Sequence, residues 1–67
     1  MFVPRENRDI LKWNERVSSE LSLTPPKNDR EFYFWKKRVS DMLGIVMPVG
    51  NSDKELIFWR VTVSALL

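Results

Sequence analysis

Three tryptophans, Trp13, Trp35 and Trp59, sit in one repeated apolar frame. Each is preceded by three residues by an apolar group (Ile10, Phe32, Leu56), then followed at four residues by Val (Val17, Val39, Val63) and at eight by Leu (Leu21, Leu43, Leu67). Offsets of −3, 0, +4 and +8 fall on one face of an α-helix, and they share no face of a strand, whose sides alternate with period two. The frame therefore predicts an all-α chain, a small three-helix bundle with one tryptophan-centred apolar stripe per helix. Ser18, Ser40 and Ser64, each directly after its Val, extend the similarity and hint at internal duplication.

The punctuation places the helices at about residues 4–21, 29–43 and 53–67. Asn28 with Glu31, and Ser52 with Glu55, have the spacing of a capping box, in which an N-cap side chain and a later Glu satisfy free amides at a helix start. Pro4 suits a first helical position, Gly44 suits the residue just past a helix end, and Thr24-Pro25-Pro26 stops the first helix because proline lacks an amide donor. Short connections favour an up-down-up bundle, with more orthogonal packing as the alternative. The third segment, Ile57–Val63, is rich in β-branched and aromatic residues and also reads as a strand, but one strand would have nothing to pair with.

Sixty-seven residues make one domain, spanning 1–67, with no room for a second core. The chain has no Cys and no His, which removes disulfides, finger-type zinc sites and the side chains that most often perform acid–base or nucleophilic catalysis. No glycine-rich phosphate cradle is present, so the expectation is a non-enzyme without a cofactor or metal. No apolar run reaches the roughly 18 residues of a membrane span, and the amino-terminal residues lack the apolar core of a secretory signal. A soluble intracellular protein, cytoplasmic or nuclear, is expected, and the ending Ser64-Ala65-Leu66-Leu67, on the stripe itself, suggests either a C-terminus packed in an interface or a domain cut from something longer.

Two functional readings remain. Helix 3 is apolar nearly all round, with Ile57, Phe58, Val61, Ala65 and Leu66 outside its stripe, and the preceding loop adds Ile45, Val46, Met47 and Val49. Two sister helices cannot hide all of that, and a contiguous exposed apolar patch marks an interface. The primary expectation is an interaction module, an adaptor, inhibitor or assembly subunit. It would dock another protein or a second copy of itself through Met47, Val49, Phe58, Val61 and Leu66, with Phe34 and Tyr33 at the edge and Arg60 as a polar handle.

The alternative is a nucleic-acid surface built from Lys27, Arg30, Lys36, Lys37 and Arg38 around helix 2, with Tyr33 and Phe34 available to stack. A net charge of only +2 and the acids Asp29, Glu31 and Asp41 on the same helix weigh against it. Lys36–Arg38 is also a minimal nuclear-import-like run, and Lys37-Arg38-Val39-Ser40 resembles a basophilic kinase site.

One tryptophan per helix is similar to the architecture of the Myb/SANT repeats, a resemblance that covers Trp13 to Trp59 and implies three helices with the third reading DNA. The tryptophan spacings of 22 and 24 residues are longer than that family's. Helix 3 offers only Lys54 and Arg60 among Leu56, Ile57, Phe58, Val61 and Val63, where a recognition helix needs polar groups aimed at base edges. The resemblance is architectural and transfers no residue roles.

Overall fold

A computed structural model describes residues 1–48, 50 and 52–67. It contains three helices, α1 (Asn7–Leu21), α2 (Asp29–Leu43) and α3 (Asp53–Leu66), and no strand among the described residues. The ambiguous third segment is helical. A helix closes its own hydrogen bonds, whereas an isolated strand would leave its ladder of donors and acceptors open.

The core is a cyclic arrangement of the three indoles. Trp13, Trp35 and Trp59 meet edge to face in every pairing, with ring centroids 6.2, 5.8 and 5.9 Å apart. This is the geometry that aligns the positive edge of one ring with the negative face of the next. Burying three indoles together also buries three N–H donors, and each finds the serine of the preceding helix. Trp35 Nε1 donates to Ser18 Oγ at 2.8 Å, Trp59 to Ser40 at 2.9 Å and Trp13 to Ser64 at 3.0 Å. The contacts repeat when the helices are taken in the order α1, α2, α3, α1, which is a pseudo-threefold rotation. An up-down-up bundle reverses alternate helices and cannot make equivalent contacts three times. The three similar dimensions of the molecule, 26, 25 and 25 Å, agree with the rotational arrangement. Val17, Val39 and Val63 fill the centre beside the indoles with no measurable exposure.

The connections repeat as well. Ser22 and Gly44 both adopt left-handed backbone, φ 57° and 69°, and reverse the chain after α1 and α2. Leu23 N–H then donates to Ser18 O at 2.8 Å and Ile45 N–H to Ser40 O at 3.0 Å, the six-residue closure of a Schellman motif. Met1 nitrogen donates to Ser64 O at 3.2 Å, so the first residue takes at α3 the place that Leu23 and Ile45 take at α1 and α2. Met1, Leu23 and Ile45 all pack against the core, and Pro4, Pro26 and Pro48 each stand three residues after them. The 22-residue unit thus includes a non-helical entry segment that contains a proline.

This corrects one boundary. Pro4 is not the first residue of α1; it lies buried in the entry segment, and α1 begins at Asn7 behind Glu6, whose side chain makes no capping bond. The other two starts hold as expected. Glu31 N–H donates to Asn28 Oδ1 at 2.9 Å and Glu55 N–H to Ser52 Oγ at 3.4 Å. The returning carboxylates reach further back than the N-cap amide, Glu31 to Lys27 N–H and Glu55 to Gly50 N–H.

Removing one serine hydroxyl leaves a buried indole donor without an acceptor, a loss of about 1–3 kcal/mol. Ser18→Ala, Ser40→Ala and Ser64→Ala should each lower the unfolding free energy by that amount in urea titrations. Ser19→Ala, one position away and exposed, should stay within about 0.5 kcal/mol of the parent.

Candidate interaction surface

Equivalent positions of the three helices allow a direct comparison of what the fold requires with what it does not. The residues directly after the tryptophans, Asn14, Lys36 and Arg60, all turn inward, although each is polar. Lys36 is 2% exposed and Arg60 8% exposed. Lys36 Nζ lies 4.8 Å from the Phe32 ring centroid, a cation–π contact. The Asn14 Oδ1 and Arg60 Nε atoms are buried without a hydrogen-bond partner among the described residues. Loss of hydration pushes the Lys36 ammonium below its ordinary range, and the nearby Arg60 charge pushes the same way. Arg60 is lowered chiefly by its own burial, against the opposing charge of Asp53.

These burials correct two sequence expectations. Lys36 is not part of an exposed basic surface, because the position after the tryptophan lies inside the arc of the core face. Arg60 is not a surface handle for a partner for the same reason; it sits between two grooves, with Ile57 and Val61 on one side and Asn14 and Phe32 on the other. Lys27, Arg30, Lys37 and Arg38 are exposed. The Lys36–Arg38 run is therefore split, with its first member inward. Ser40 is buried beneath Trp59 and accepts its indole proton, so the kinase-like sequence presents no accessible hydroxyl.

Of the predicted apolar contacts, Phe58, Val61 and Leu66 are exposed and Met47 is half-buried, and Met47 and Phe58 border a different groove along α3 from Val61. Phe58 is 74% exposed and lines an open groove of about 750 Å³ with Ile45, Val46, Met47, Pro48 and Thr62. Val61, 45% exposed, faces the other flank of α3 beside Val3 and Ile57. Leu66 is exposed near the end of α3. Tyr33 borders the junction of α2 with Leu56 of α3, and its ring meets that of Phe34 edge to face. Phe34, 57% exposed, points outward from α2. Val49 lies outside the described residues.

The outward positions at −1, +2, +3, +6 and +7 from each tryptophan carry the most telling contrast. On α1 they are Lys12, Glu15, Arg16, Ser19 and Glu20; on α2, Phe34, Lys37, Arg38, Asp41 and Met42; on α3, Phe58, Val61, Thr62, Ala65 and Leu66. All are exposed except Thr62, which is half-buried. At these five positions α1 is fully polar, α2 mixed and α3 almost wholly apolar, whereas the −2 position is exposed and apolar or aromatic on all three helices, Leu11, Tyr33 and Ile57. Sequence reasoning found the apolar surplus of α3, but the matched positions that make α1 its control emerge only when the repeats are aligned on the folded ring.

Among the described residues no three acidic, His or Cys side chains gather as a metal site, and no helix is long and apolar enough to cross a membrane. Comparison with family models, curated proteins and solved structures returned no significant match, so the geometry alone carries the functional reading.

The buried cations yield two expected outcomes. Lys36 holds its proton less tightly in the folded than in the unfolded chain, so unfolding takes up protons at alkaline pH and stability rises with pH towards the ordinary lysine range. Denaturation midpoints measured from neutral to alkaline pH should climb for the parent and climb less for Lys36→Met. Arg60→Leu, which removes a buried guanidinium whose Nε has no acceptor, should stabilise the fold by about 1 kcal/mol in the same assay.

Proposed function

We propose that this chain is a non-catalytic helical interaction module that docks another protein chain through the outer face of α3 and the groove between Phe58 and the 45–48 segment. The observation that carries the reading is the contrast between matched exteriors. Since α1 carries polar residues at these five matched positions, the core does not require the apolar residues that α3 carries there. Exposed apolar groups at Phe58, Val61 and Leu66 lower solubility and add nothing to the tryptophan core, which is the signature of a surface kept for a partner. Met47 and Phe58 frame an apolar groove that can receive a partner's side chain. Aromatic anchors seated in such grooves commonly dominate binding energy.

The alternative of nucleic-acid binding keeps Lys27, Arg30, Lys37 and Arg38 on the surface, with Phe34 beside them, and loses Lys36. Anisotropy of labelled duplex and single-stranded oligonucleotides at low salt decides it. Binding that weakens steeply with salt supports the alternative, and no binding removes it.

The docking reading is tested by affinity capture with matched variants. Phe58→Asp should abolish specific capture of partner proteins while far-ultraviolet circular dichroism keeps its helical signal. Lys12→Asp, at the equivalent position of α1, should change neither. Equal capture by the parent and Phe58→Asp contradicts the proposal.

A further inference from the structure

Arg60 is nine-tenths buried, at 8% exposure, yet among the described residues it makes no hydrogen bond and no ion pair. A buried guanidinium without an acceptor costs stability, and the tryptophan core does not require one, because the matched position of α1 carries the neutral Asn14. Asp53, in the first turn of α3, lines a groove with Arg60 but forms no ion pair with it. The Lys36 ammonium adds like charge from α2.

The groove that Arg60 shares with Asp53 encloses about 800 Å³ between α3 and the entry segment of α1. Its walls are apolar, from Val3, Ile10, Ile57 and Val61, and Arg5 and Asn7 border it at the start of α1. That start is the uncapped one: Glu6 makes no side-chain capping bond, so the first amides and the positive end of the α1 dipole are left without a protein acceptor. On its other side Arg60 borders a smaller groove of about 270 Å³ at the start of α2, where Asn28 already accepts from the Glu31 amide. A recessed guanidinium, an uncapped helix start and an apolar lining therefore converge on the α1–α3 groove.

We infer that this groove binds a carboxylate carried on a short apolar body. The carboxylate accepts from the Arg60 guanidinium, whose paired donors match a planar oxyanion, and from the open amides at the start of α1. The apolar body lies along Val3, Ile57 and Val61, which orient it. Arg5 and Arg60 outnumber Asp53, so the groove keeps a positive balance. The site lies apart from the Phe58 groove and does not depend on the docking reading.

Butyrate is the probe, with butyramide as a control of similar shape and no charge. Titrated at constant ionic strength and followed by NMR, butyrate should move the Arg60 side-chain signals saturably with a Kd of about 10 mM, and butyramide should bind at least about tenfold more weakly. Arg60→Leu, expected to fold more stably than the parent, should abolish the saturable shifts of the Ile57 and Val61 methyl groups. Arg5→Ala should weaken binding and Asp53→Asn tighten it, each by about threefold. Lys27→Ala, on the smaller groove, should leave it unchanged.

A Leu-Asp-Leu peptide blocked at both ends presents the same chemistry from a protein. Binding tighter than butyrate assigns the carboxylate to a partner chain, and weaker binding assigns it to a free acid. Equal responses to butyrate and butyramide, or butyrate binding unchanged by Arg60→Leu, overturn the site. Binding that responds to Lys27→Ala and not to Arg5→Ala overturns its placement in the α1–α3 groove. Neither result bears on docking through Phe58, which is read by capture.

Discussion

The closed cycle of three indole-to-serine hydrogen bonds is the constraint on which the rest of the structure depends. Three tryptophans give a small chain a large apolar core, and their edge-to-face contacts add about 0.5–1.5 kcal/mol each beyond burial. The same choice buries three donors that water can no longer satisfy. Supplying each acceptor from the preceding helix, Ser18 for Trp35, Ser40 for Trp59 and Ser64 for Trp13, ties the order of the helices to the satisfaction of the core. Each helix takes part in two of the three bonds, so none can shift without orphaning two donors and two acceptors. The Met1-to-Ser64 backbone bond closes the same ring at the main chain.

Much of this was legible in the sequence, and what was not has identifiable causes. The stripe at −3, 0, +4 and +8 located all three helices because apolar periodicity reports the buried face directly. Asn28 and Ser52 located two helix starts because capping chemistry is local. The serines show in the sequence only as a repeated coincidence, because a hydroxyl partner for an indole spans two helices and leaves no trace in one segment. Lys36 and Arg60 look like surface groups in the sequence because polarity is the ordinary sign of exposure. Their position next to the tryptophan faces inward, and no propensity marks that. Pro4 taken by itself suits the first position of a helix. Set beside Pro26 and Pro48, it belongs to an entry segment with a 22-residue period.

The candidate surface was legible in kind more than in outline. Its apolar surplus on α3 follows from composition, and Phe58 is exposed as expected. Its division into two flanks, with Met47 and Phe58 on one and Val61 on the other, follows from how the 45–48 segment and Val3 lie along α3. The pseudo-symmetry adds what inspection of a single helix lacks, an internal reference. Departures from threefold equivalence fall on the outside, where the fold imposes little, at the buried position after each tryptophan and in the two additional residues before α3. The proposal of a docking face rests on that distinction between what packing demands and what it permits.

Hydrogen exchange of the three indole Nε1 protons, followed by NMR on the folded chain, tests the cyclic core most directly. If the three bonds close the ring, all three indole signals should be strongly protected, with similar exchange free energies that track global unfolding. One or more indoles exchanging at the rate of an exposed tryptophan would contradict the ring and, with it, the pseudo-threefold arrangement of the helices.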